Sequence, residues 1–84
     1  MVIEGARLRF ETLEACAGEA PLRVEADDDT LLRVLSGMVR LTVGDDEWLL
    51  AVGEEAVVPA GAPHRLAAAV GEARVVSGLR TPRR

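Results

Sequence analysis

Residues 53–64 read Gly53-Glu54-Glu55-Ala56-Val57-Val58-Pro59-Ala60-Gly61-Ala62-Pro63-His64, and this stretch decides the fold. The apolar triplet 56–58 is a short strand entered through a glycine turn. Two prolines and a glycine within residues 59–63 preclude any regular element there, because proline withholds a donor and glycine invites a turn. His64 then opens the next apolar run. The unit is therefore strand, irregular corner, strand, with Gly53, Pro59, Gly61 and His64 at the spacing G-x5-P-x-G-x2-H.

Outward from this unit the same grammar continues. Leu22-Arg23-Val24-Glu25-Ala26-Asp27 alternates apolar and charged residues, the period of a half-buried strand. Leu22, Val24 and Ala26 would form its inward face, turning Glu25 away. Asp27, Asp28 and Asp29 end it as a solvated turn. Leu31-Leu32-Arg33-Val34-Leu35 follows, then Ser36-Gly37, which reads as a tight hairpin into Met38 to Val43. Gly44-Asp45-Asp46 turns the chain into Glu47 to Val52. His64 to Val70 and Ala73 to Leu79 read as a final strand pair around Gly71-Glu72. Upstream, Leu8 and Phe10 alternate with Arg7, Arg9 and Glu11 in a first strand; Thr12 to Ala20 could be a helical turn or a loop. Turns recur about every 8–12 residues, which predicts an all-β sandwich or barrel. One domain, residues 1–84, is expected, with 81–84 as a frayed tail.

Composition narrows the function. Of 84 residues, 49% are hydrophobic and 29% charged, the profile of a globular chain. A net charge of −4, scattered arginines and 2% aromatic residues argue against nucleic acid, which needs a basic face and stacking platforms. No apolar stretch is long enough for a membrane helix, and residues 1–7 lack the basic start of a signal peptide. The lone Cys16 fits a reducing cytoplasm as an inert apolar thiol. All ten basic residues are Arg, and Asn and Gln are absent. A GC-rich genome explains most of that bias; the missing Gln leaves a thermophilic source open.

The spaced residues carry a resemblance. G-x5-P-x-G-x2-H is similar to the second motif of the cupins, small double-stranded β-helix (jelly-roll) barrels, with Ala68 where that motif has Asn. Gly18 and Gly37 match the two ends of the first cupin motif, so the resemblance covers residues 18–68. In metal-bearing cupins two His and a Glu of the first motif, and the His of the second, hold the ion. Here the first three fall on Val24, Ala26 and Thr30, and only His64 keeps a ligand type. A one-residue shift would place Arg23 and Glu25 at the two His positions instead, at the expense of the Gly18 match. A first-row metal wants several imidazoles and a carboxylate, so no metal or other cofactor is expected. Were one present, His64 would be its ligand, joined by Glu25, Cys16 or an Asp of 27–29.

The pocket is accordingly expected among His64, Thr30, Val24, Ala26, Leu66 and Ala68. His64 is suited to proton transfer near neutrality, but no orienting partner is visible for it. A backbone-bonded core histidine packing the 59–63 corner is the more economical reading. Trp48 is expected in the core. The adjacent acids at 27–29 and 45–46 lack the spacing of a calcium loop. Residues 31–35 and 48–52 are apolar on both faces, and a domain this small buries only about 60–65% of its surface alone. Both points predict a homodimer. The leading expectation is a metal-free cytoplasmic binding or interaction module for a small molecule. The alternatives are a metal-dependent oxygenase- or isomerase-type cupin with an atypical ligand set, or a metal-free enzyme similar to sugar epimerases that uses His64.

Overall fold

Alternating apolar side chains form the expected ladders in a computed structural model that describes residues 7–80. The frayed tail 81–84 and the start of the chain lie outside the described residues. Seven strands follow one another: β1 (Arg7–Glu14), β2 (Asp29–Ser36), β3 (Val39–Val43), β4 (Asp46–Leu50), β5 (Glu55–Val58), β6 (His64–Ala68) and β7 (Glu72–Arg80). They make two antiparallel sheets, one ordered β1-β7-β2-β5 and the other β4-β3-β6. The protein is all-β. No helix among the described residues is long and apolar enough to cross a membrane.

The sheets face each other across one core. Leu13, Leu32, Val34, Val58, Ala73 and Val75 enter from the four-stranded sheet, and Val39, Leu41, Leu50, Leu66 and Ala68 from the three-stranded one. Period-two geometry explains the selection: in paired strands, residues directly opposite point to the same face. Thus Val75 faces inward with its partners Glu11 and Val34, and Ser77 with Arg9 and Leu32.

Two expected hairpins are corrected. Ser36-Gly37 does not fold β2 onto β3, and residues 69–71 do not pair β6 with β7. In both places the chain crosses from one sheet to the other, because β2 finds its hydrogen bonds with β5 and β7. Gly37 makes the first crossing practicable. Its φ is +74°, and a Cβ there would lie 2.6 Å from the Glu72 carbonyl oxygen. β3 and β4 do form a hairpin. The ambiguous stretch after Phe10 is resolved as strand to Glu14, then loop.

The third correction matters most for the site. Residues 22–27 are not a laddered strand; their one bridge joins Arg23 to His64. Arg23 N–H donates to the His64 carbonyl at 2.7 Å, and His64 N–H to the Arg23 carbonyl at 2.9 Å. Opposed residues share a face, and His64 is buried, so Arg23 turns inward with it. Leu22, Val24 and Ala26 are exposed, while Arg23 and Glu25 are half-buried. The expected apolar inward face is the outer one.

Candidate functional site

The barrel interior is apolar at one end and polar at the other. At the polar end a cavity of about 510 Å³ opens, lined among others by Arg9, Arg23, Glu25, Thr30, His64 and Ser77. β2 supplies Thr30, β6 supplies His64, β7 supplies Ser77 and β1 supplies Arg9, all from inward-facing register positions. Arg23 and Glu25 come from the bridged segment.

The 59–63 corner seats His64, and two bonds, one to the bridged segment and one to the start of β2, strap it down. Gly61 N–H donates to the Glu25 carbonyl at 2.7 Å. Ala60 N–H donates to Asp29 Oδ1 at 2.8 Å. Gly61 takes φ +83°, a conformation that a side chain would oppose. The acidic run is therefore more than a solvated turn: Asp29 holds the corner and Asp28 pairs with Arg7 at 3.1 Å. His64 is 3% exposed. Its Nδ1 lies 3.3 Å from the Ala62 carbonyl, a bond that the Nδ1-protonated tautomer makes. In that tautomer of the neutral ring Nε2 is the acceptor.

Arg23 is held as firmly. Its guanidinium grips Glu11 with two bonds, 2.8 and 2.7 Å, the bidentate geometry that suits a carboxylate. Donation from Arg23 holds the Glu11 carboxyl below the usual carboxylate range, outweighing the opposing effect of burial. The same bond raises the Arg23 guanidinium. Thr30 is the opposite case. It is 6% exposed, and its Oγ1 has no hydrogen-bond partner.

The sequence-predicted pocket is partly assembled. His64, Thr30, Leu66 and Val24 line the cavity, Val24 from a rim position that is 52% exposed. Ala26 is exposed and does not line it. Ala68 is buried toward the opposite end. Arg9, Arg23, Glu25 and Ser77 were not in the expected set. The one-residue shift of the first motif was the signal that could have found Arg23 and Glu25. Trp48 is not a core anchor; it is half-exposed and lines a separate apolar groove with Leu41, Ala56 and Pro59. Cys16 is exposed.

The family model described as "Cupin domain" matches residues 9–77. The chain belongs to the cupin family. Its two facing antiparallel sheets are the cupin jelly-roll barrel. No curated protein matches it. Among solved structures it is similar to a cupin-2 domain protein from Shewanella frigidimarina, at 21% identity and TM-score 0.78, covering 98% of this cupin and 76% of that chain. It is also similar to hydroxypropylphosphonic acid epoxidase from S. wedmorenis, solved with fosfomycin, at 23% identity and TM-score 0.79. That match covers 88% of this cupin but 43% of the epoxidase, so the chain spans under half of that enzyme's length. A predicted oxalate decarboxylase from Thermotoga maritima matches at 11% identity and TM-score 0.77, covering 92% of this cupin and 68% of that chain.

A metal fits the cavity poorly. Among the described residues no three His, Cys, Asp or Glu side chains gather where they could share an ion. His64 and Glu25 are the two donors of ligand type on the cavity, and Arg23 brings a fixed positive charge beside them. A guanidinium cannot ligate a divalent cation and repels it.

Proposed function

We propose that this cupin is a binding module for a small organic molecule, which enters the polar end of the barrel and is held there without a metal. The observation that carries the reading is Arg23. It occupies a cavity position on the inward face of the first-motif segment, locked to Glu11, where a ligand-bearing cupin would present imidazole. The cavity volume lies within the ordinary range of ligand pockets, about 300–1,000 Å³. Elemental analysis of protein purified without an affinity tag tests this. Substoichiometric Fe, Mn, Ni and Zn is expected, with a melting temperature that none of these ions raises. A stoichiometric metal lost in His64→Ala would replace the reading with a metal-dependent cupin enzyme.

One observation favours a second reading. Glu25 lines the same cavity as His64, so a second ionisable side chain is present where metal-free acid–base catalysis would need one.

We further propose that a second copy of the chain covers the outer face of the four-stranded sheet. Leu8 and Phe10 on one edge strand are 55% and 67% exposed, Val57 on the opposite edge strand is 56% exposed, and Leu31 and Val76 lie between them on the same face. Light scattering should give a dimer mass that falls toward monomer in Phe10→Glu. A wild-type monomer at all concentrations overturns it.

A further inference from the structure

The charged groups at the mouth are not all satisfied, and those left over are of opposite sign. Three arginines line the cavity. Arg7 is neutralised by Asp28 and Arg23 by Glu11, which spends both carboxylate oxygens on it. Arg9, on the inner face of β1 beside Ser77, makes no ion pair or hydrogen bond among the described residues, and its charge acts on Glu11 only through space. Glu25 is half-buried, and its carboxylate likewise has no partner there, although its backbone carbonyl holds Gly61. Arg9 and Glu25 do not pair with each other. They stand on different walls, one on β1 and one on the bridged segment.

The same cavity is lined by Thr30, whose buried hydroxyl has no partner. On the inner face Thr30 is directly opposite Leu79, one inward position from Ser77, whose own partner is Arg9. A buried hydroxyl without a partner costs about 1–3 kcal/mol relative to a bonded one, so its natural complement is a polar group in the cavity. Thr30 can both donate and accept, and the His64 imidazole shares the lining.

We infer that the cavity takes a small zwitterion, an amino-acid-sized molecule whose carboxylate meets Arg9, whose ammonium group meets Glu25, and whose polar atoms reach Thr30. The inference rests on the binding-module reading and names its ligand class. A simple carboxylate would satisfy Arg9 and suffer repulsion from Glu25; a simple amine would do the reverse. A molecule with both charges satisfies both walls, and its dipole aligns with the field between them.

The test uses the full chain and amide NMR titration with ω-amino acids from glycine to 6-aminohexanoate, each beside its matched monocarboxylate and monoamine. One chain length is expected to shift cavity resonances at Thr30, His64 and Ser77, binding at least about tenfold tighter than either singly charged match. Arg9→Gln should reduce the zwitterion to the affinity of the amine, and Glu25→Gln to that of the carboxylate. Thr30→Val should weaken binding while leaving the spectrum folded and the melting temperature equal or higher. Equal binding of singly charged and zwitterionic probes overturns the zwitterion assignment but leaves the binding module standing. So does binding of none of the series. A stoichiometric metal overturns the binding module itself, whatever the titration shows.

Discussion

The two ends of the barrel interior are built from the same strands and obey opposite rules. Along the inner face of β1 the chain passes from Arg7 and Arg9 through Glu11 to Leu13; along β2 it passes from Thr30 through Leu32 to Val34. The far end is sealed by Leu13, Val34, Val39, Ala73 and Val75, all buried. The near end holds an open cavity and, among the described residues, an unbonded hydroxyl and two charged side chains without an ion pair. Stability is concentrated at one end, and the polar groups that could recognise a ligand at the other. The largest expected effect should expose this division within a single strand. Leu13→Ala should cost roughly 2–5 kcal/mol in denaturant unfolding, because it leaves a cavity in a close-packed wall. Arg9→Gln, two inward positions away, should stay within about 0.5 kcal/mol of the parent. Comparable losses at both positions would break the comparison.

The sealed end was far more legible in the sequence than the open one. Val39, Leu41 and Val43 alternate with Arg40 and Thr42, and the ladder follows that alternation without exception. Gly53, Pro59, Gly61 and His64 located the corner, because the chain can make that corner with few residue types. At the open end alternation gave the right period and the wrong face. In residues 22–27 the apolar set is exposed, since a hydrogen-bonded pair with His64, far along the chain, decides which way Arg23 points. The charge of Arg23 is then met by Glu11, twelve residues back. Asp29 was hidden for the same reason: its partner, the Ala60 amide, is 31 residues away. Local pattern also joined β2 to β3 by a hairpin, whereas strand partners are chosen by the sheet. Long-range pairing was what the sequence could not show, and it is what builds the cavity.

The Arg23–Glu11 pair sits at the boundary between the two ends, and it offers the finer test. Glu11 opposes Val75 on the inner face, next to the sealed wall, while Arg23 lines the cavity. Removing the guanidinium in Arg23→Ala leaves a partly buried carboxylate without its two donors, a loss of roughly 1–3 kcal/mol. The sign of the pH dependence follows from the depressed Glu11 carboxyl. Unfolded, Glu11 binds its proton at the ordinary carboxylate value; folded, it resists protonation to lower pH. The pair's contribution is therefore fully present above the ordinary value and is lost as pH falls through the depressed one. Stability of the parent should drop across that acid window, and Arg23→Ala should drop less steeply there while starting lower at neutral pH. The comparison is read from unfolding midpoints of both proteins between pH 7 and the acid limit of folding. Parallel curves would mean that the pair contributes no pH-dependent stability, and that the cavity wall stands without it.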